Sequence, residues 1–317
     1  MLFDALLGAA MLLSALNISA AASHGGALWT GEQTINGVDP CRLDLRLAGQ
    51  VTWRGTYGRG YEASSADNLE QVNVSVLHEG EACRWFVTAD RPVNGAFLTS
   101  AGGGRLAFDV LQSPSGPSIL SDDVEGTTFS RLEGAFASTD GSQALPLFVS
   151  IPPGQVVRAG TYSSQIIMRL YRVENGSPQL VAQAPLPVLA AVPPILSVSS
   201  RDFAPGALGG SLDLGNLEQG GSKRVGFDVV ANSDISITFA SAGAGLLRHQ
   251  FGSLGIPYRV IAGGRSVNLA GVGSVERFTA SPGTPLALDL VIVVDPPRQA
   301  AAGTYRDELV VTFRADE

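Results

Sequence analysis

The sequence predicts an all-β protein of two β-sandwich domains in tandem, the second of which lacks its closing strand. Three observations support this fold class. The 38 glycines and 18 prolines interrupt short apolar, β-branched runs, as strands separated by tight turns require. Charged residues make up 16% of the 317, too few for helices with solvated faces. The third observation is an internal repeat.

The repeat is carried by the motif Ala-Gly-Thr-Tyr, which occurs at 159–162 and again at 302–305. Pro153 precedes the first copy and Pro296 the second, with the same spacing to the motif. Each copy also follows an apolar segment typical of a buried strand.

The repeat predicts two domains of similar build, residues 24–192 and 193–317. Pro193 and Pro194 stand between them, and two consecutive prolines form a stiff, strand-breaking connection.

The repeated motif indicates a tight turn that opens a strand. Glycine permits a backbone turn that other residues avoid, and the tyrosine can bond back to nearby backbone, as in immunoglobulin-like sandwiches. After Tyr305, the side chains of Leu309, Val311 and Phe313 share one face of the strand. We therefore expect both domains to be immunoglobulin-like, with these three residues facing the interior of the second.

The two copies differ after this strand. The first continues through Asn175-Gly176 into the apolar segment 179–189, a seventh, closing strand whose prolines confine it to a sheet edge. No such segment follows Phe313, so we expect the second domain to be incomplete, with no closing G strand and an open hydrophobic cleft.

A strand supplied by another protein would fill such a cleft by β-strand addition. The predicted cleft residues are Leu309, Val311 and Phe313, with Ile195 or Leu196 from the first strand of the second domain. The alternative is a smaller six-stranded sandwich covered by the linker.

The N-terminus and the cysteines predict export. Residues 6–16 are apolar and 20–23 are small, so residues 1–23 resemble a cleaved signal peptide, although no basic residue precedes the apolar run. A fraying hydrophobic N-terminus is the alternative. In an exported protein Cys41 and Cys83 form a disulfide, whereas two buried free thiols are the other possibility. Prolines exclude a membrane span at 184–198.

Charge and motifs exclude several functions. The net charge of −8 offers no basic face for nucleic acid. The three histidines lie outside hydrolase and zinc motifs, so no catalytic residue, cofactor or metal is predicted. The acidic residues at 122, 123 and 125 lack the spacing of an EF-hand calcium loop. We expect a protein that is not an enzyme.

The repeated turn motif resembles that of the spore coat protein U domain, which ends in a proline, Ala-Gly-Thr-Tyr and a Thr/Val-rich strand. Segments 212–215 and 254–258 are also similar to that family. The resemblance implies a subunit of archaic, Csu-type chaperone–usher pili. Its partners would be a periplasmic pilus chaperone, an outer-membrane usher and an adjacent pilin that donates a strand.

Within that family the layout resembles a tip adhesin. Residues 23–31, the start of the mature chain, are glycine-rich without sustained apolar alternation and so predict no donor strand. A subunit that accepts a strand but donates none belongs at the pilus tip, reached through the periplasm, where it would mediate adhesion and biofilm formation. The alternative is a structural cell-surface or spore-coat protein without a specific adhesive site.

The adhesive surface is expected at the end of the first domain remote from the second. If 72–77 and 83–87 are strands B and C, their connection lies there, as do the turn before the closing strand and part of segment 112–141. These considerations predict tip residues that contact abiotic or host surfaces: His78, Glu79, Ile119, Leu120 and Asn175. In the alternative, Ile119 and Leu120 form an extra strand packed on the core.

Overall fold

The structure is a computed structural model that describes residues 40–47, 49–64, 69–92, 95–122, 131–207, 209–252, 254–271 and 273–316. Regular structure in these residues is entirely β, as predicted, and none of them belongs to a helix that could cross a membrane. The strands form two groups with no ladder between them, called lobe 1 (42–192) and lobe 2 (196–315). The predicted signal peptide lies outside the described residues. The predicted domain limits remain a prediction.

Lobe 1 is a sandwich of two main sheets, with strand orders β1-β3-β10-β7 and β2-β12-β11-β4-β8; β9 also pairs with β4, and a β5–β6 hairpin with β11. Its strands are β1 (Arg42–Leu47), β2 (Val51–Trp53), β3 (Leu69–Glu79), β4 (Cys83–Asp90), β5 (Phe97–Thr99), β6 (Arg105–Ala107), β7 (Asp109–Leu111), β8 (Leu120–Ser121), β9 (Arg131–Phe136), β10 (Gly141–Ser150), β11 (Gly160–Glu174) and β12 (Ser177–Val192).

Lobe 2 repeats this plan, with sheet orders β13-β14-β20-β17-β16-β21 and β19-β15-β22. Its strands are β13 (Leu196–Ser200), β14 (Gly221–Ala231), β15 (Ile235–Ser241), β16 (Leu246–His249), β17 (Gly255–Ala262), β18 (Arg265–Val267), β19 (Ser274–Phe278), β20 (Leu286–Val294), β21 (Tyr305–Arg306) and β22 (Leu309–Ala315).

Each lobe has its own core, made by alternate residues of the facing sheets. In β3, for example, Val72, Val74 and Val76 are buried between more exposed neighbours. In β20 the buried positions are Leu288, Leu290, Ile292 and Val294. The period of two in the sequence therefore places a continuous apolar layer between the sheets.

The repeated motif forms a tyrosine corner in both lobes. The hydroxyl of Tyr162 donates to the carbonyl of Arg158 at 2.7 Å, and that of Tyr305 donates to the carbonyl of Ala301 at 3.0 Å. Both acceptors lie four residues before the tyrosine. The motif thus fixes the entry into β11 and into the β21–β22 segment in the same way, which confirms the predicted turn.

The predicted closing strand of lobe 1 is present as β12, which pairs antiparallel with β11. Asn175 and Gly176 join the two strands with φ of 49° and 81°, the two positive values that a type I′ hairpin turn needs. The expectation that prolines confine this strand to an edge is wrong for its last part. The segment 188–190 also pairs in parallel with β2, beyond Pro185 and Pro187, so only its proline-containing part has a free edge.

The predicted disulfide between Cys41 and Cys83 is present. It links the residue before β1 to the start of β4 and so joins the two sheets of lobe 1 at one end. The neighbouring ring of His78 lies close enough to form a metal-like cluster with the two sulfurs, but sulfurs bonded to each other offer no thiolate ligands.

Candidate functional site

The two lobes differ along one edge. In lobe 1, β11 has β12 on one side and β4 on the other. In lobe 2, β22 pairs with β15 on one side, and no described strand pairs along its other edge. Likewise β13 pairs with β14 alone among the described strands. Within the described residues, two strand edges with free backbone groups therefore remain in lobe 2.

The inner face of β22 is less well covered than that of β11. Ile166, Met168 and Leu170 of β11 are all fully buried, at 0% exposure. The counterparts in β22, found by aligning the repeated motif, are Leu309, Val311 and Phe313, and all three are only half-buried. Sequence analysis predicted these residues as one wall of an open cleft, and the structure places them together on the inner face.

The opposite wall is formed by β13. Leu196 pairs with Ala231 and Val198 with Val229, and because both partners point into the core, these two β13 side chains point inward as well. Val198 is nevertheless 37% exposed. Leu196 therefore lines the cleft as expected. Val198 also lines it but was not predicted.

Ile195, the other predicted residue on this side, precedes β13 and has a different role. Its N–H donates to the side-chain oxygen of Asn232 at 2.7 Å, and its carbonyl accepts from the Asn232 N–H. Ile195 is 45% exposed and lies beside the connection between the lobes. It anchors the start of lobe 2 and is not placed on the inner face.

Phe227 closes the floor between these walls. It lies opposite Ser200 of β13, and its ring centroid is 5.3 Å from that of Phe313. Sequence analysis missed Phe227, although its place in the alternation of β14 marked it as inward-facing. We call the following set the acceptor groove: Leu196, Val198, Phe227, Leu309, Val311 and Phe313.

A second stretch of lobe 2 also lacks a strand partner. In lobe 1 the chain passes from β1 to β2, which pairs with the closing strand. In lobe 2 the residues after β13 include Leu212 and Leu214, half-buried against the core and alternating with exposed Ser211 and Asp213. No described strand pairs with them. They occupy the place in the chain that β2 has in lobe 1.

The end of the acceptor groove near Tyr305 is polar. Asp307 shares the inner face with Leu309, and its carboxylate accepts from the hydroxyls of Ser241 and Tyr258 at 2.6 and 2.5 Å and from the N–H of Gly243 at 2.6 Å. Burial raises the pKa of Tyr258 far above its usual value, and the hydrogen bond to Asp307 raises it further. The phenol stays protonated and holds this end of β22 in place.

Three of the predicted tip residues are buried. His78 is 2% exposed, and its ring nitrogens lie 3.0 and 2.7 Å from the carbonyl oxygens of Thr139 and Glu81. Ile119 and Leu120 are 0% and 4% exposed. The extra strand that we considered as an alternative is present as β8, which pairs with β4. In this conformation an abiotic or host surface cannot contact these three side chains.

Glu79 and Asn175 remain exposed at the predicted end of lobe 1. Beside the turn at Asn175 lies a cleft with a volume of about 320 Å³. Its lining is Arg84, Trp85, Phe86, Arg131, Glu133, Gly134, Val173, Gly176 and Pro178. The guanidinium of Arg131 lies 4.7 Å from the ring centroid of Phe86 and pairs with Glu133 at 2.7 Å. Sequence analysis missed this cleft, because its residues come from three distant segments.

Comparison with solved structures finds pilus proteins. The CsuC–CsuE chaperone–tip subunit complex from the archaic chaperone–usher Csu pili of Acinetobacter baumannii is 14% identical, with 85% of this chain and 99% of that chain covered and a TM-score of 0.36. The CupB6 tip adhesin of Pseudomonas aeruginosa is 13% identical, with 87% of this chain and 95% of that chain covered and a TM-score of 0.37. The CFA/I adhesin CfaE of enterotoxigenic Escherichia coli is 10% identical, with 87% of this chain and 82% of that chain covered and a TM-score of 0.39.

No protein-family model matches this chain, and no curated protein matches it. Because the TM-scores of the three solved structures lie below 0.5, no residue role or activity is carried over from them.

Proposed function

We propose that lobe 2 accepts a β-strand from another protein subunit in the acceptor groove. The observation that carries this proposal is the contrast between β11, covered by β12, and β22, whose equivalent edge has no partner in the described chain. The apolar side chains beside this edge are half-buried or exposed, and a strand with alternating apolar residues would cover them while pairing with the free backbone groups.

The chain then acts as a non-enzymatic tip subunit of a chaperone–usher pilus. Lobe 1 is closed by its own strand and is therefore free to contact a surface, abiotic or host, while lobe 2 joins the fibre. A periplasmic chaperone would cover the groove before assembly at the outer-membrane usher, and adhesion would support biofilm formation. The resemblance to the spore coat protein U domain supports these partners.

A synthetic peptide with the sequence of residues 179–192 tests the groove. That segment already closes the equivalent site of lobe 1, so we expect it to raise the melting temperature of lobe 2 in the full chain and to leave lobe 1 unchanged. The control peptide carries Leu186→Asp and Val188→Asp, which would place two carboxylates against the apolar walls.

Equal melting temperatures with and without the unmodified peptide would refute strand acceptance and leave a structural surface protein as the better reading. Adhesion is tested separately, by retention of the full chain on polystyrene and on host-cell monolayers. Loss of retention in Arg84→Ala plus Arg131→Ala would place the contact at the cleft beside Asn175. Unchanged retention would exclude that cleft.

A further inference from the structure

The closing strand of lobe 1 also determines where the next folded unit begins. The last residue of β12, Val192, pairs with Gly160 at the start of β11. The chain then passes through Pro193 and Pro194 directly into lobe 2. A strand that filled the acceptor groove in the same way would end beside Gly303, the counterpart of Gly160. The body of its subunit would start there.

In the intact chain, lobe 2 contacts lobe 1 at this corner. The guanidinium of Arg158 pairs with the carboxylate of Asp234 at 2.6 Å, and the N–H of Ala159 donates to the carbonyl of Asn232 at 2.8 Å. Val156 lies close to Gly283. In lobe 1 the corner beside the end of the closing strand therefore docks the unit that follows that strand.

The same corner of lobe 2 has a different composition: the exposed Arg298 and Gln299 are followed by three alanines. The repeat places Ala301 at the position of Arg158 and Ala302 at that of Ala159, and both are exposed. The hairpin of β16 and β17 lies against this corner, since His249 contacts the carbonyl of Ala302 at 3.3 Å and the N–H of Gln250 donates to the carbonyl of Thr304 at 2.9 Å.

The tip of this hairpin carries two large apolar side chains in solvent. Phe251 is 79% exposed, the highest value among the exposed large hydrophobic residues of the described chain, and Leu254 is 52% exposed. By contrast, the tip of the β5–β6 hairpin in lobe 1 carries no large apolar side chain, only the small residues Ala101, Gly102 and Gly103. Exposed aromatic side chains of this kind are enriched at the centres of protein interfaces.

We propose that Phe251 and Leu254, with Ala301 and Ala302, form a second docking surface for the body of the subunit whose strand fills the acceptor groove. The inference rests on the proposed function of the groove but concerns a different surface. Because an alanine replaces Arg158 here, the partner does not need an acidic residue at the position of Asp234. The contact would fix the angle between the tip and the fibre, as the corner contacts link lobe 2 to lobe 1.

Two extended versions of the full chain test this surface. Glu317 stands where Glu174 stands in the first copy, so either chain can be continued after Glu317 with the first copy's own turn and strand. The strand-only chain adds a copy of residues 175–192. The strand-plus-lobe chain adds a copy of residues 175–317, with Asp234→Ala in the copied lobe because Ala301 replaces the arginine that pairs with Asp234.

The readout is the rate of maleimide labelling at single introduced cysteines, which is clean because both native cysteines form the disulfide. The reporter is Leu254→Cys in the original lobe 2, which is 52% exposed and keeps Phe251 in place. Val275→Cys, on β19 and 51% exposed, is the matched control outside the corner. Val311→Cys reports whether the groove is filled.

We expect Leu254→Cys to react about tenfold more slowly in the strand-plus-lobe chain than in the strand-only chain, equivalent to about 1.4 kcal/mol of protection. Val275→Cys should react equally in both. Equal rates at Leu254→Cys, with Val311→Cys protected in both chains, would overturn the second surface and leave the groove intact. Labelling of Val311→Cys in both chains at the rate of the unextended protein would refute the groove itself.

Discussion

The rings of Phe227 and Phe313 lie 5.3 Å apart, joining the two sheets of lobe 2 across the floor of the acceptor groove. Each ring is only half-buried, because nothing in the described chain covers the groove from outside. In lobe 1 the equivalent position of β11, Leu170, is completely buried. The contact between the rings therefore links β14 and β22, one strand from each sheet, beside the open edge of lobe 2.

Replacing these large residues should affect the two lobes unequally. Leu170→Ala should lower the free energy of unfolding of lobe 1 by about 2–5 kcal/mol, as in other fully buried sites. Phe313→Ala should cost lobe 2 less than the 3–5 kcal/mol usual for buried phenylalanine, about 1–2 kcal/mol, because the ring is half in solvent. Chemical denaturation, monitored by hydrogen exchange in each lobe separately, measures both changes in the free energy of unfolding. A larger loss for Phe313→Ala than for Leu170→Ala would show that the groove is closed in solution.

The disulfide should stabilise lobe 1 alone. Cys41 and Cys83 are 42 residues apart, and a loop of this size contributes about 3–4 kcal/mol through chain entropy. The double replacement by serine should lower the melting transition of lobe 1 and leave that of lobe 2 in place, as calorimetry of the full chain would resolve. A parallel fall of both transitions would mean that the lobes unfold as one cooperative unit.

His78 should be structural. His78→Phe keeps the stacking on Phe136, where the ring centroids are 4.8 Å apart, but removes the ring nitrogens that lie 3.0 and 2.7 Å from the carbonyl oxygens of Thr139 and Glu81. We expect a loss of about 1–3 kcal/mol in the stability of lobe 1. The exposed neighbour Glu79, changed to Gln, is the control and should be neutral. Unchanged stability in His78→Phe would show that water replaces both contacts.

The ion pair between the lobes should matter more for geometry than for stability. The side chains of Arg158 and Asp234 are 41% and 40% exposed, so a double-mutant cycle to alanine should give a coupling energy of about 0–1 kcal/mol. Small-angle scattering should nevertheless show a wider range of angles between the lobes in Arg158→Ala. The exchanged pair Arg158→Asp with Asp234→Arg should restore the narrow range. Identical scattering from all variants would assign the junction to the backbone contact at Ala159.

Alkaline pH should destabilise the protein through its buried tyrosines. Burial raises the pKa of Tyr61, Tyr162 and Tyr258 in the folded state, whereas unfolded tyrosine ionises near pH 10. Above about pH 10 the unfolded chain therefore holds fewer protons than the folded chain, and stability is lost as pH rises. Denaturant titrations from pH 8 to 11 measure this slope. Tyr258→Phe should make it shallower for lobe 2, and an unchanged slope would exclude Tyr258 as a contributor.

Local patterns in the sequence predicted most of the fold. The turn at Asn175 and Gly176 and the apolar strand before the second Ala-Gly-Thr-Tyr motif, observed at 286–294, follow from residue types within short segments. The disulfide follows from the single pair of cysteines. The alternation after Tyr305 likewise predicted which residues of β22 face inward. These features depend on the types of residues that are adjacent in the chain, which a single sequence contains directly.

The features that sequence reasoning missed depend on sheet order. Val198 and Phe227 look like ordinary interior residues, and only the absence of a described strand between β13 and β22 leaves them uncovered. The burial of His78 depends on a carbonyl 61 residues away, at Thr139. A polar residue type predicts, on average, a side chain exposed to solvent. A hydrogen-bond acceptor far away in the sequence can nevertheless satisfy the side chain in the interior.

The path of β12 has a mechanical consequence. This strand completes lobe 1 and its end leads into lobe 2, so tension applied to lobe 2 would pull it lengthwise from Val192. Its hydrogen bonds to β11 run perpendicular to that pull and extend from Gly160 to Glu174, so they carry load together and do not open one after another. Under flow, lobe 1 would resist extraction of its closing strand by shear along the whole length of the ladder.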